Sequence, residues 1–285
     1  MVWTFHFGYD NLGWPSLERS KKIIETLDAD IIGLVETDAS KPFMGNKDLT
    51  SWLSESLNMY ADYGPSTKDH TWGSMLLSRF PILESTHHLL PSPEGELAPA
   101  ISAILLVKNT RIGLIVTHMG NKMDDEDRRV QAIYLAKLAN DFYRNNTPVV
   151  FLGYVTSRPF ARDYIEITTR GSLKDIDNTD AVRFCEYIFY RGLERRAYAR
   201  ISHGGLTDTE IQAAKFSLLP ERPDRPNSRP LEPQTKVVSG PRSGLPKSVA
   251  ENVRWPEEYG DFAHGHHRRP EHRYHMKTPK YFVRV

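Results

Sequence analysis

The chain has 285 residues, 39% of them hydrophobic and 26% charged, which is the composition of a globular protein with one large core or two small ones. A formal net charge of +1 gives no global attraction to nucleic acid, and the single Cys185 excludes an internal disulfide framework. No apolar stretch reaches the roughly 18–20 residues of a membrane span. No signal-peptide pattern is present, and the abrupt Met1-Val2-Trp3 opening predicts a domain cut from something longer.

In chain order, residues 2–7 are β-prone, and Pro15-Ser16 opens a helix to about Asp28 with Leu17, Ile23, Ile24 and Leu27 as its apolar stripe. A strand ends at Glu36, and a helix is predicted over 48–57. Strands follow at 74–77, 100–107 and 111–117, then a long helix from 125 to 143 with Ala132, Leu135, Ala136, Ala139 and Phe142 on one face. The acidic run at Asp124–Asp127 suits the first turn of that helix. Strands at 149–152, 187–190 and 213–218 complete the set; only some are joined by helices, so a mixed sheet is expected.

Residues 1–219 therefore read as the α/β body. The Pro- and Arg-rich tract 220–254 reads as an irregular linker or wrap, and 255–285 as a His/Arg-rich extension whose strand-like 280–283 docks on the body. The histidines of that extension, His264 to His275, lack the spacing of a zinc site and read as a solvated tail.

Three runs carry most of the functional information: Ile31–Glu36, Leu114–His118 and Val149–Tyr154. Each is apolar and β-branched until it stops at a polar residue, the pattern of a buried central strand opening into a cleft. A strand end holds a side chain rigidly, as metal binding or acid–base chemistry requires.

The order of these motifs resembles the endonuclease/exonuclease/phosphatase superfamily over roughly residues 2–218, on Thr4-Phe5-His6, Leu34-Val35-Glu36, Ser78-Arg79-Phe80-Pro81 and Val116-Thr117-His118. The resemblance implies a four-layer α/β sandwich of two mixed sheets flanked by helices. It also implies Glu36 as a ligand of Mg²⁺ (or Mn²⁺ or Ca²⁺), Glu186 as a second ligand, and His118 as a catalytic histidine. The superfamily's Gly-Asp-Phe-Asn stands here as Gly153-Tyr154-Val155-Thr156, and its closing Ser-Asp-His as Thr207-Asp208-Thr209. An Asp, an Asn and a His of the hydrolytic apparatus are thus replaced, while Glu36, His118 and Asp208 remain.

Finer wording narrows the match. His70-Thr71-Trp72-Gly73, His87–Pro93, Gly95-Glu96, Phe151–Tyr154, Asp175-Ile176-Asp177, Cys185–Ile188 and His275-Met276 are similar to the C-terminal domains of fungal membrane proteins that remodel the lipid of glycosylphosphatidylinositol (GPI) anchors. That resemblance implies an endoplasmic reticulum membrane parent with a soluble lumenal domain and a GPI or inositol phospholipid substrate. The domain's partners would be a membrane surface and the parent's transmembrane region, with no nucleic acid.

Exchange of diacylglycerol for ceramide on phosphoinositol would use His118 as acid or base, with His70, His6 or the carboxylates of Asp175 and Asp177 supplying the missing base and Asp208 near the cleft. His6, Arg191 and Arg200 are candidate phosphate binders. A metal-free route with His118 and His70 acting on the phosphodiester, and an Arg on the phosphate, stands beside the metal-assisted one. The second function class is a binding module that presents the phosphoinositol glycan to a transmembrane catalytic region. Asp177 has the competing role of capping a helix near Thr179, and His87-His88 of facing opposite sides of an edge segment.

Overall fold

The computed structural model describes residues 1–38, 48–66, 71–183 and 185–219, with the backbone of 253–254. Of the three runs read as buried strands, two pair with each other and the third pairs with the N-terminal strand. Val2–Thr4 (β1) lies parallel to Ile31–Asp38 (β2), and Thr110–His118 (β7) parallel to Val149–Tyr154 (β8). The other strands are Tyr60–Tyr63 (β3), Trp72–Ser78 (β4), Ile82–Leu89 (β5), Pro99–Val107 (β6), Lys174–Asp175 (β9), Glu186–Arg191 (β10), Leu193–Ile201 (β11), Ile211–Leu218 (β12) and Val253–Arg254 (β13). They form two mixed sheets, ordered β11-β12-β1-β2-β4-β3 and β13-β5-β6-β7-β8-β10-β9.

Four layers follow from where each strand's two faces are buried. Between the sheets lie Val2, Val35, Leu76, Ile101, Val116, Leu152 and Ile188. Gly33 is needed there because a Cβ at that position would stand 3.0 Å from Leu152 Cδ1. Helices Leu17–Leu27 (α1) and Leu49–Leu57 (α2) cover the outer face of the first sheet, through Ile24, Leu49 and Leu53 against Trp3, Leu34 and Met75. Helices Asp125–Arg144 (α3) and Arg162–Ile165 (α4) cover the second, through Ala132, Leu135, Ala139 and Tyr164 against Ile115, Phe151 and Phe189. The expected sandwich of two mixed sheets flanked by helices is the fold observed.

Several elements differ from the sequence expectation. Chain 2–7 leaves the sheet after Thr4 and turns as a 3₁₀ segment, His6–Gly8, with His6 and Phe7 at positive φ. The polar strand β11 was not expected: Leu193–Ile201 is mostly exposed, and its outer positions lack the alternation that betrays a half-buried strand. No helix starts at Thr179; Asp177 Oδ1 accepts from Thr179 N (3.1 Å) and Oγ1 (2.7 Å) in a local turn. Within the expected 220–254 linker, β13 adds a parallel strand to β5, Val253 opposite Ser85. His70, the remainder of that linker and the 255–285 extension lie outside the described residues.

Candidate active site

Strands β1, β2, β7 and β8 deliver their C-terminal ends to one pole of the sandwich, and antiparallel β10 begins there, with Glu186 opposite Tyr154. At this pole His118 Nε2 lies 3.2 Å from Glu36 Oε1, a hydrogen-bonded pair that joins the two sheets. Side-chain exposure is 7% for His118 and 17% for Glu36, so the pair is largely withdrawn from water yet reachable from the glutamate side. With the Nε2 proton donated to Glu36, the network leaves Nδ1 as the basic nitrogen. Nδ1 is buried and has no hydrogen-bond partner among the described residues.

The local backbone is strained to make this geometry. Glu36 has φ 54° where β2 slips its register against β4 between Leu34 and Thr37, a bulge that re-aims the side chain. Thr156 (φ 53°) and Cys185 (φ 72°) sit in the same sparsely populated region. Such outliers cluster where function over-determines the chain.

Aromatic rings hold the imidazole. Tyr154 stacks flat on His118, centroids 4.4 Å apart and planes 6° off parallel, and Trp72 meets His118 edge-on at 5.2 Å. The row continues through Phe7 to His6, whose Nδ1 lies 3.1 Å from Tyr9 O. Burial, then hydrogen bonding with Cys185, pushes the Tyr154 phenol far above its ordinary value. Tyr154 therefore stands where the superfamily has an Asp but stays neutral, a wall and hydrogen-bonding group in place of a charge. The Cys185 thiol is itself pushed up to about 12, chiefly by burial, and is no thiolate nucleophile.

Of the remaining expected residues, Asp208 is exposed at this pole on a segment bolted down by its neighbours. Thr207 Oγ1 accepts from Trp3 Nε1 (3.0 Å), and Thr209 Oγ1 donates to Glu186 Oε1 (2.8 Å). The charge of Asp208 is felt by Tyr154, Cys185 and Glu186.

Three expectations are corrected. Glu186, expected as a metal ligand, is enclosed at 2% exposure. Its Oε1 accepts from Thr4 N and Oγ1 (both 2.5 Å) as well as Thr209, so it fastens β1 to β10. Arg191 lies at the far end of β10, opposite Val149, where it donates to Gly171 O (2.8 Å) and to Ala139 O and cannot reach a phosphate at the His118 pole. Arg200 is already held between Asp180 (3.3 Å) and Glu210 (2.8 Å), so its charge is spent on protein carboxylates.

Asp177 is likewise engaged in its own turn and in accepting, through its carbonyl, from Arg183 (2.7 Å). Sequence reasoning assigned no role to Trp72 or Glu96, although both stand in quoted segments, since neither ends an apolar run.

A magnesium ion is commonly held by one or two carboxylates, with water and substrate phosphate completing its shell. Glu36 is the one carboxylate paired with His118, Glu186 is enclosed, and among the described residues no three His, Cys, Asp or Glu side chains converge as a metal cage. Glu36, reachable at this pole, and the exposed Asp208 are the carboxylates that would hold a hydrated cation here, where it would supply charge stabilisation to a phosphate. Near these strand ends four buried polar atoms lack a partner among the described residues: Thr156 Oγ1, Ser157 Oγ, Glu186 Oε2 and His118 Nδ1.

Comparison with known proteins agrees with this fold. The family model described as "PGAP2IP, C-terminal nuclease-like domain" matches residues 1–237. Protein cwh43 of Schizosaccharomyces pombe is 46% identical over 215 residues, which is 75% of this chain but 22% of that protein's length. Among solved structures, an endonuclease/exonuclease/phosphatase from Beutenbergia cavernae superposes with a TM-score of 0.64 at 17% identity, covering 76% of this chain and 70% of that one. The human Nocturnin catalytic domain with bound sulfate gives 0.58 at 17% identity, covering 72% and 87%. A mannosyl-6-phosphatase from Bacteroides thetaiotaomicron gives 0.60 at 15% identity, covering 76% and 99%. These structures share the fold.

Proposed function

The chain belongs to the family of PGAP2IP C-terminal nuclease-like domains, and from that premise we propose that it acts on the phosphoinositol part of a GPI anchor or a related inositol phospholipid. The reaction is a phosphodiesterase-like step of lipid remodelling that replaces diacylglycerol by ceramide. The parent protein holds the domain at an endoplasmic reticulum membrane surface, beside its transmembrane region. No helix among the described residues is long and apolar enough to cross a membrane.

The observation that carries the reading is the Glu36–His118 pair, fixed at converging strand ends of two sheets and clamped by Tyr154 and Trp72. The Glu36 carboxylate orients the imidazole and stabilises its protonated form, which prepares His118 to take the proton of an attacking hydroxyl. As that oxygen bonds to phosphorus, the bond to the departing alcohol breaks and the alkoxide takes up a proton. Thr156 and Ser157 supply hydroxyl donors for the non-bridging oxygens.

The alternative, a non-catalytic module that presents its ligand to the transmembrane region, is favoured by one feature: a neutral Tyr154 replaces the superfamily's Asp.

The test compares wild type with His118→Ala, measuring diacylglycerol release from phosphatidylinositol vesicles and inositol phosphate binding by calorimetry, with and without EDTA. The expected result is a loss of turnover of about 10²-fold or more with binding kept within a few-fold. A wild type that binds but never turns over, or equal loss of both properties, would leave the binding module standing. Loss of turnover in EDTA alone would place a cation in the reaction.

A further inference from the structure

We infer that the loops around the His118 pole form a membrane-docking rim, whose apolar tips Leu12, Trp14, Met123, Phe160 and Val182 enter the headgroup layer of a phospholipid bilayer. The inference takes its lipid substrate from the phosphodiester reading above and names the face of the domain that meets the membrane.

Exposure and topology carry it. Eight large hydrophobic side chains are exposed among the described residues, and these five are 54% to 87% exposed. Leu12 and Trp14 follow β1, Met123 follows β7, Phe160 follows β8, and Val182 precedes β10, so all five stand on loops where those strands reach the pole. Tyr143 and Leu219 lie at the far ends of α3 and β12, and Tyr143 already has the Arg191 guanidinium 4.4 Å from its ring centre. A single exposed apolar residue needs no explanation, but a ring of them around one end of the molecule marks an interaction surface.

The backbone behind the tips is tied down, so their exposure is built in. Asp10 Oδ1 accepts from Leu12 N (3.0 Å) and Trp14 N (2.8 Å), and its Oδ2 pairs with Arg19 at 2.5 Å. Met123 rides a turn closed by Asp124 N donating to Asn121 O (3.2 Å), and Asn121 N is itself held by Glu96 Oε2 (2.6 Å). Phe160 has φ 66°, a costly conformation for an aromatic residue, in a turn closed by Ala161 N and Arg158 O at 3.1 Å. Val182 adjoins the fully buried Arg183, which is anchored on Asp175 at 2.6 Å.

The chemistry of the rim suits lipid. A protein partner requires one contiguous, well-packed interface core. These tips stand instead on separate loops around a polar centre, and a bilayer can receive each of them singly. An indole such as that of Trp14 favours the membrane–water interface, with its ring among the apolar groups and its N–H toward water. Cations flank the tips: Lys122 precedes Met123, and Arg158 stands two residues before Phe160. Beside the Leu12 loop, joined to it by Asn11 N and Gly205 O (3.0 Å), a cavity of about 410 Å³ is lined by Arg19, Lys22 and His203. The carboxylates of Asp10, Asp125 and Asp180 are paired with Arg19, Arg162 and Arg200. Lys22, Lys122 and Arg158 have no ion-pair partner among the described residues, against Asp124 and Asp208 in the same condition, a small positive balance that complements lipid phosphates. With so small an excess, apolar insertion carries the binding and raised salt should weaken it only a few-fold.

The test floats the 285-residue chain with vesicles of phosphatidylcholine carrying phosphatidylinositol, and in parallel follows turnover of a water-soluble inositol phosphodiester that needs no docking. Wild type should float with the vesicles. Trp14→Ser and Met123→Ser should each lower the partition coefficient by about ten-fold, and the two together by about 10²-fold, with turnover of the soluble substrate kept. Leu219→Ser, at the other end of the molecule, should bind as wild type does. Absence of wild type from the vesicles, or equal binding by wild type and tip variants, overturns the docking rim and leaves the phosphodiester reading to the soluble substrate. Flotation that the tip variants lose, without cleavage of either substrate by wild type, keeps the rim and removes the phosphodiester reading. A change of oligomeric state in the tip variants on sizing chromatography, with flotation unmoved, would assign the tips to a second copy of the chain and overturn the inference.

Discussion

Replacing Glu186 by Gln is expected to stabilise the domain at alkaline pH and to do so progressively less as the pH falls. The carboxyl is wholly enclosed, Oε1 accepts from Thr4 and Thr209, and Oε2 has no partner among the described residues. Burial, reinforced by the Asp208 charge against the hydrogen bonds that favour ionisation, raises the group from its ordinary 4.5 to about 8. In the unfolded chain Glu186 releases its proton near 4.5, whereas the folded chain retains it to about 8. The stability contributed by the neutral acid is therefore complete below the lower value and is lost as pH rises through the upper one.

An interval of about 3.5 units at ~1.4 kcal/mol each sets a ceiling of about 5 kcal/mol on that loss. Glutamine keeps an oxygen for Thr4 and Thr209 and does not titrate, so the variant-minus-wild-type difference isolates this group from every other. Urea unfolding followed by tryptophan fluorescence at pH 5, 6, 7 and 8 measures it. The difference should grow by several kcal/mol from pH 5 to pH 8. A difference flat to within ~1 kcal/mol across that range would refute the reasoning.

Two further outcomes follow from buried contacts. Arg183 is fully buried, pairs with Asp175 at 2.6 Å and donates to the carbonyls of Asp177 (2.7 Å) and Asp180 (3.0 Å). Arg183→Ala strands the Asp175 carboxylate and should cost ~3–5 kcal/mol, or about 10 °C in Tm by scanning calorimetry; a drop under ~3 °C would contradict an enclosed ion pair. Gly153→Ala would place a Cβ 2.5 Å from the Phe151 ring and 3.0 Å from Thr117, both closed in by the core. A loss of ~1–3 kcal/mol is expected in denaturant melts, with reduced turnover because Tyr154 follows directly; full stability would mean the strand shifts freely.

The legible part of the molecule is what a local rule encodes. Central strands buried on both faces are written as continuous apolar runs, so β2, β7 and β8 and the residues at their ends, Glu36, His118 and Tyr154, could be placed from sequence. Amphipathic periodicity placed α1 and α3 in the same way. The family's fold, carried by the order of those strand ends, is the fold found.

Tertiary structure decided everything that depends on which way a strand runs and what crosses to meet it. Arg191 and Glu186 lie on the same short strand, yet antiparallel pairing with β8 sends one to the far pole and the other into the site wall. Nothing local distinguishes the two directions. Arg200 reads as a free cation until β11 brings it between Asp180 and Glu210. Glu96 belongs to no periodic segment and comes to lie against the turn after His118 because Asp127 and Gln131, some thirty residues away, hold its backbone there. The sequence determined which side chains the strands would end on. Long-range pairing, whose partners are far apart along the chain, determined which of them share a pole, which are neutralised and which can exchange a proton.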